Sequence, residues 1–137
     1  MATARENSAA WIRELYEVWN TQGPEGMRAH VWHPDIVWDE GETFPDASRF
    51  AGAGRVAERL AERLEVVDTL EVECVDYTPL SEARGLAELV VRGTGASSGA
   101  PIDFRWWHLL ELAGEGRVTA VTEFIDRDAA RRAAGLE

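Results

Sequence analysis

A chain of 137 residues, 45% of them apolar, can form one hydrophobic core and predicts a single domain over 1–137, with 1–7 as a flexible tail. Its formal net charge of −11 argues against nucleic-acid or anionic-membrane surfaces, because phosphates would meet a repulsive field. All 14 cationic side chains are arginine, which excludes chemistry that needs a lysine amine, and the single cysteine, Cys74, excludes an internal disulfide.

The first part of the chain has the period of helices. Residues 9–21 place apolar side chains on one wide face and predict an amphipathic helix that Asn7 or Ser8 can cap. Pro24 fits the first turn of a short second helix, which is expected to carry Trp32. The two helices would form a hairpin.

A strand, a loop and a third helix follow. Residues 36–39 predict a short strand, and residues 40–52, rich in glycine, proline and acidic residues, predict a loop. Residues 54–64 recover the helical period. The charged residues of this helix are expected to form a solvated face and are Arg55, Glu58, Arg59, Glu62 and Arg63.

From residue 66 the period of the apolar positions changes to two, which is typical of strands. The predicted strands cover residues 70–78, 84–94, 102–112 and 117–126. A short helix over 129–134, with Asp128 as its cap, closes the chain. Helices followed by antiparallel strands predict an α+β fold with the helices packed on one face of the sheet.

Two ionisable side chains lie on apolar strand faces. Alternation puts His108 on the same face as Trp106, and it puts Glu123 between Val121 and Ile125. Such groups are costly to bury unless they are paired, neutral or in a wet cavity. Because the two strands are adjacent, both side chains can reach one cavity. The alternatives are a neutral histidine bonded to backbone or to an indole, and a glutamate paired with an arginine across the sheet.

Four short segments and the order of elements resemble a known superfamily. The segments are Pro34–Trp38, Phe50–Gly52, Trp107–Leu110 followed by Gly116–Val118, and Glu123–Asp126. They are similar to the nuclear-transport-factor-two-like (cystatin-like) superfamily, and within it to SnoaL-like proteins related to polyketide cyclases. The resemblance implies a curved antiparallel sheet that N-terminal helices wrap into a cone with one pocket. Members include isomerases, dehydratases, cyclases, epoxide hydrolases and non-enzymatic domains, so this fold alone implies no reaction.

Residue matches favour one branch of the superfamily. Comparison with ketosteroid isomerase puts His108 at that enzyme's oxyanion-hole aspartate and Asp39 at its general base. The enzyme's oxyanion-hole tyrosine falls on Leu15, one residue from Tyr16, so that part of its site is absent or displaced. SnoaL-type cyclases are the better analogy, because they are similar in having a strand histidine and an acidic residue on the next strand, here His108 and Glu123.

We therefore expect an acid/base enzyme, without cofactor, that acts on a hydrophobic, carbonyl-bearing small molecule by cyclisation, isomerisation or dehydration. His108 is the expected acid/base group, Glu123 its orienting partner, and Asp39 a second acid/base group at the pocket mouth. The residues expected to bind substrate are Tyr16, Trp19, Trp38, Phe44, Phe50, Leu60, Trp106, Val121 and Ile125.

Two other functions remain open. A non-catalytic binding domain, or a homodimeric assembly domain, predicts that His108 and Glu123 are hydrogen-bonded to protein and closed off from solvent. An epoxide hydrolase of the limonene epoxide hydrolase type is favoured less. Asp103 and Arg105 are similar to part of its Asp-Arg-Asp set, but they alternate onto the face opposite His108.

The expected partners are a hydrophobic small molecule and a second copy of the chain, with no nucleic acid and no membrane. Trp107, Leu109 and Phe124 would form an apolar patch on the outer sheet face, which predicts a homodimer. No metal is expected, because His30 and His33 beside a proline turn favour a surface cluster. A polar amino end and the lack of a run of about 18 apolar residues predict a cytoplasmic protein.

Overall fold

A computed structural model describes residues 2–136 of the chain, which form three α-helices and a curved, six-stranded mixed sheet. The helices are α1 (Ala9–His30), α2 (Ala53–Leu64) and α3 (Arg127–Ala133). The strands are β1 (Trp32–Asp39), β2 (Arg49–Ala51), β3 (Val67–Ser81), β4 (Arg84–Gly95), β5 (Pro101–Leu112) and β6 (Val118–Phe124). The predicted α+β fold is confirmed. No helix within these residues is long and apolar enough to cross a bilayer.

The strand order in the sheet is β2-β1-β6-β5-β4-β3, and neighbours are antiparallel except for β1 and β6, which are parallel. The sheet is therefore mixed, where we expected a purely antiparallel one. The β5–β6 hairpin pairs His108 directly with Glu123, and the parallel pairing sets Trp38 beside Val121. Strand β2 lies in the predicted loop of residues 40–52 and pairs with the end of β1.

Helix α1 runs through the point where we expected two separate helices. Gly23, with φ 68 and ψ −162, interrupts it, and Pro24 starts the second part. Glycine adopts a positive φ without strain and proline suits a first helical turn, which explains the break. The second part ends at the C-cap Val31, so the prediction that Trp32 is helical is wrong. Trp32 instead begins β1, because it pairs with Val118 of β6.

The helix caps agree in part with the sequence. Ser8 caps α1, as predicted, and its hydroxyl accepts a hydrogen bond from the Trp11 N–H. Helix α3 is capped by Asp126, whose carboxylate accepts from the Ala129 N–H, and not by the predicted Asp128. Asp128 lies within the first turn because the helix begins earlier than the apolar pattern indicated.

The residue that precedes the N-cap of α1 packs against the rest of the chain. Asn7, which we assigned to a flexible tail, is buried. Its side-chain amide donates to the backbone carbonyls of Ser81, at 2.5 Å, and Arg84, at 3.1 Å. These bonds tie the residue before α1 to the β3–β4 turn and satisfy the polar groups of the buried amide.

The apolar patch predicted on the outer sheet face is covered by α3. Trp107 is buried against Ala130 and Ala134, and Leu109 and Phe124 belong to the same cluster. The chain therefore covers by itself the surface that favoured a dimer. Homodimerisation stays a prediction, without support from this patch.

The turn between β5 and β6 gives a test of packing. Gly116 has φ +69, and a Cβ added there would lie 2.5 Å from Trp11 Nε1. We expect Gly116→Ala to destabilise the fold by about 2–4 kcal/mol, because backbone strain and overlap with Trp11 add. Gly99 has a similar φ of +66 but nothing within 4 Å of an added Cβ. Gly99→Ala should therefore cost only about 1 kcal/mol in urea unfolding, and equal losses would contradict the Trp11 contact.

Candidate active site

A cavity of about 380 Å³ lies between the inner face of the sheet and helices α1 and α2. Cavities of this size hold small organic ligands. Most of its wall is apolar, and its polar residues form two groups, one around His108 and one made of Asp46, Arg59 and Glu62. The wall includes Tyr16, Trp19 and Met27 from α1, Leu60 and Arg63 from α2, Trp38 from β1, and Leu89, Val91, Trp106, His108 and Glu123 from β4 to β6.

His108 is the centre of a hydrogen-bonded chain in the cavity wall. Its Nε2 lies 3.0 Å from Glu123 Oε2, across the β5–β6 pairing, and its Nδ1 lies 2.8 Å from the Tyr16 hydroxyl. All three side chains are buried and all three line the cavity. The structure thus brings His108 and Glu123 together as the strand alternation predicted, and it gives both ring nitrogens a protein partner.

Glu123 is ionised although only 1% of it is exposed. Burial raises the pKa of this carboxyl, but the hydrogen bond from His108 and the charge of Arg63 outweigh burial and lower the pKa to about 2. Arg63 donates from Nη1 to Oε1 at 2.8 Å and from Nη2 to Oε2 at 3.3 Å, and the Trp38 indole donates to Oε1 at 2.9 Å. Because an ionised carboxylate only accepts hydrogen bonds, Nε2 of His108 carries the proton between them.

Tyr16 contacts the other ring nitrogen. Burial raises the pKa of Tyr16 well above its usual value, so the phenol keeps its proton. When His108 is neutral with its proton on Nε2, the Tyr16 O–H donates to the lone pair on Nδ1. The ketosteroid isomerase comparison had put the functional tyrosine on Leu15. Leu15 instead packs, half-buried, against the core.

A cluster of ion pairs beside the cavity was not predicted. Arg59 and Arg63, which we assigned to a solvated face, are only 13% and 15% exposed. Both bind the fully buried Glu40: Arg59 Nε lies 2.9 Å from Oε2, and Arg63 Nη1 lies 3.4 Å from the same oxygen. The spacing of the two arginines, one turn apart and flanking the inward Leu60, was the available signal. The rest of the charged run is exposed as expected, at Arg55, Glu58 and Glu62.

Three aromatic rings surround His108. The ring centroids of Trp38, Tyr16 and Trp106 lie 5.4, 5.8 and 6.2 Å from the imidazole centroid. Their edge-on and tilted contacts are those that aromatic rings prefer, and they restrict rotation of the imidazole. The imidazole is therefore packed on several sides by aromatic rings, and it lines the cavity.

Most of the residues predicted to bind substrate do line the cavity, namely Tyr16, Trp19, Trp38, Phe44, Leu60 and Trp106. Three lie elsewhere. Phe50 packs under the guanidinium groups of Arg55 and Arg59, at 4.6 and 5.6 Å. Val121 is buried in the core, and Ile125 is 56% exposed beyond the end of β6. Alternation predicts the face of a strand, but it does not indicate how far the cavity extends along it.

Asp39 does not take the predicted place at the pocket mouth. Its carboxylate accepts a hydrogen bond from the Gly41 N–H at 2.8 Å and fixes the turn after β1. Neighbouring side chains of a strand point to opposite faces, so Asp39 does not share the cavity that Trp38 lines.

Groups with ligand or nucleophile chemistry also lie elsewhere in residues 2–136, His33 and Cys74 among them. No three His, Cys, Asp or Glu side chains in this range are grouped to hold a metal ion. His33 Nδ1 accepts a hydrogen bond from the Asp35 N–H at 3.0 Å. Cys74 is buried, and burial raises the pKa of its thiol to about 11, so it is a poor nucleophile at neutral pH.

The chain belongs to the SnoaL-like domain family, whose model matches residues 12–121. It is similar to a Jannaschia sp. CCS1 protein classed as a SnoaL-like polyketide cyclase, at 18% identity and a TM-score of 0.71, over 97% of this chain and 94% of that one. TerC co-crystallised with polyporic acid matches at 16% identity and a TM-score of 0.71, over 95% of this chain and 98% of that one. A Mycobacterium tuberculosis protein in complex with estradiol-17beta-hemisuccinate matches at 19% identity and a TM-score of 0.65, over 83% of this chain and 89% of that one. Comparison with curated proteins gave no match.

These comparisons confirm the family that the four short segments indicated. The structural matches, all below 20% identity, establish the fold and leave the reaction to be argued from the site. The nuclear-transport-factor-two-like fold predicted from the sequence is therefore shown.

The lowered pKa of Glu123 predicts how the free energy of unfolding changes at low pH. Its pKa is about 2 when folded against 4.5 for a free carboxyl, so its contribution is complete above pH 4.5 and is lost as pH falls through 2. That contribution is on the order of 3 kcal/mol. In urea unfolding between pH 7 and pH 2.5, Glu123→Gln should lose less stability than the wild type. Asp103→Asn is the control, because Asp103 is exposed, and its stability should fall with acid as much as that of the wild type. An equal loss of stability in Glu123→Gln and Asp103→Asn would contradict the prediction.

Proposed function

We propose that this protein is a cofactor-independent acid/base enzyme that acts on a hydrophobic, carbonyl-bearing small molecule by cyclisation, isomerisation or dehydration. The observation that carries this proposal is the chain Glu123–His108–Tyr16 in the wall of an apolar cavity of about 380 Å³. A ligand with an apolar body and a carbonyl oxygen fits a largely apolar cavity that has this hydrogen-bonded chain in its wall.

When the site acts as an acid, the hydrogen bonds of His108 and Tyr16 give the path of the proton to the substrate. When His108 is charged, Nε2–H donates to Glu123 and Nδ1–H donates to Tyr16, which leaves the Tyr16 O–H free for a carbonyl oxygen. Tyr16 then passes its proton to the substrate oxygen while Nδ1 passes its own proton to Tyr16. The products are a protonated substrate, an intact phenol and a neutral imidazole.

The base direction reverses these transfers. Tyr16 gives its proton to neutral Nδ1 while its oxygen accepts a proton from the carbon next to the carbonyl. The imidazolium that forms lies 3.0 Å from the ionised Glu123, whose charge stabilises it. Because burial raises the pKa of Tyr16, a free phenolate is unfavourable and the two transfers are coupled.

The comparisons support a small organic ligand. One neighbour is classed as a SnoaL-like polyketide cyclase, and two others hold polyporic acid and estradiol-17beta-hemisuccinate. Membership of the SnoaL-like family is consistent with the proposed reaction classes. The proposal itself rests on the placement of Tyr16, His108 and Glu123.

A non-catalytic binding domain is the second candidate, and one observation favours it. Both ring nitrogens of His108 are occupied by protein groups, as that function predicts. The cavity would then hold a ligand without changing it. An epoxide hydrolase of the limonene type lacks such support, because Asp103 and Arg105 do not line the cavity and Arg105 binds Glu88 on the outer face.

Proton exchange separates the two candidates. Bicyclic ketones, aromatic ketones and 1,3-diketones are incubated with the protein in D2O, and loss of the proton next to the carbonyl is followed by NMR. We expect the wild type to accelerate exchange for at least one ketone that it binds. His108→Ala should abolish the acceleration with an unchanged circular dichroism spectrum. Retained exchange in this variant would contradict the proposed role of His108.

The role of Tyr16 has its own test. Tyr16→Phe should lower kcat for exchange by about 10² to 10⁴, because the relay loses its terminal proton, while ligand affinity stays within a few-fold. Tyr77→Phe is the matched control, since the Tyr77 hydroxyl is also buried but donates to Asn7 and does not line the cavity. Equal rates in both variants would exclude Tyr16 from the reaction.

A further inference from the structure

Arg63 joins two buried carboxylates that belong to different parts of the chain. Its guanidinium makes two hydrogen bonds to Glu123, at 2.8 and 3.3 Å, and one to Glu40, at 3.4 Å. The side chain of Glu40 is completely buried and that of Glu123 is 1% exposed. Arg59 holds the far side of Glu40 from Nε at 2.9 Å and from Nη2 at 3.1 Å.

The side chains therefore form a line of alternating charge that ends at the acid/base site. Their order is Arg59, Glu40, Arg63, Glu123, with His108 and Tyr16 beyond, and Arg59 also pairs with the exposed Asp46. Within the four residues from Arg59 to Glu123, two positive and two negative charges balance. Removal of Arg63 or Glu40 leaves an uncompensated charge among the remaining groups, which is strongly unfavourable.

The guanidinium of Arg63 is held from its faces as well as its edges. Its central carbon lies 4.6 Å from the ring centroid of Phe44 and 4.9 Å from that of Trp106. Arginine stacks on aromatic faces in this way while its planar fork binds a carboxylate. Both rings line the cavity, and so does Arg63 itself, which places the guanidinium at the cavity surface.

We propose that Arg63 is a positioning residue of the acid/base site: by holding Glu123 ionised, it keeps the proton of His108 on Nε2 and leaves Nδ1 to Tyr16. The catalytic meaning of this role rests on the proposed function. The link between Arg63 and Glu123 is measurable in the unliganded protein.

The physical reason lies in the surroundings of Glu123. The ionisable groups that face it are His108 from β5, Arg63 from α2 and Tyr16 from α1, and the Trp38 indole is a neutral donor. Of these, Arg63 is the permanent positive charge. Without it, burial favours a protonated carboxyl, which would donate to Nε2 and move the proton of a neutral imidazole to Nδ1. Tyr16 would then meet a donor in place of an acceptor.

The experiment uses the ligand-free protein. The carboxyl ¹³C shift of Glu123 and the ring ¹⁵N shifts of His108 are followed by NMR from pH 2 to pH 9 in the wild type and in Arg63→Gln. We expect Arg63→Gln to raise the pKa of Glu123 by at least about one unit, a tenfold weaker hold on the ionised form. Where Glu123 is protonated and the imidazole is neutral, the ring ¹⁵N shifts should place the proton of His108 on Nδ1 and no longer on Nε2.

Two variants make the result specific. Arg55→Gln removes an exposed arginine from the same helix, one that pairs with Glu58 and Glu62, and should change neither signal. Arg63→Lys keeps the positive charge but not the planar fork. The pKa of Glu123 in this variant should therefore stay closer to the wild-type value than to that of Arg63→Gln. If Arg63→Gln does not fold because two buried carboxylates are left with Arg59 as their one arginine, the charge-balanced double variant Arg63→Gln, Glu40→Gln replaces it.

The outcomes distinguish this inference from the proposed function. Unchanged Glu123 and His108 signals in Arg63→Gln, or in the double variant, would overturn the role of Arg63 even if the wild type exchanges ketone protons. Shifted signals in a protein that exchanges no ketone proton would support the link and overturn the proposed function. Shifted signals with a lowered kcat and little change in KM would support both.

Discussion

A carboxylate that stays ionised while almost wholly buried is the constraint on which the centre of this molecule depends. Glu123 receives hydrogen bonds from Trp38 on β1, His108 on β5 and Arg63 on α2. Each donor comes from a different element, so one charge fixes the positions of three elements relative to β6. An unpaired buried charge is costly, so the donors that keep Glu123 ionised must stay in place. The same contacts therefore determine both the packing of these elements and the ionisation of the site.

The polar residues of the cavity wall are unevenly distributed. Apolar residues of α1, α2, β3 and β4 form most of the wall, and the polar residues form one group around His108 and another of Asp46, Arg59 and Glu62. Under the proposed function, a ligand places its carbonyl oxygen next to Tyr16, in the first group. The distribution of polar groups would then orient the ligand without a specific contact along its apolar body.

Sequence patterns predicted the parts of the site that depend on adjacent strands. His108 and Glu123 were identified because alternation and a short turn leave them one relative placement. The parts that failed depend on pairings between distant segments: Glu40 with Arg63 lies across a loop and a helix, and Trp32 is extended only because β6 is beside it. The position of Tyr16 was missed for another reason. The comparison with ketosteroid isomerase put the tyrosine one residue away, on Leu15, and one residue along a helix turns the side chain by about 100°.

The parallel pairing of β1 with β6 has a consequence for biosynthesis. Trp38 and Glu123, which share a hydrogen bond, are 85 residues apart, and β6 is the last strand to be made. A nascent chain therefore carries an unfinished, apolar sheet face until residues 118–124 have been translated. Contacts of such separation form slowly, so newly made chains depend on protection from aggregation for longer than their small size suggests.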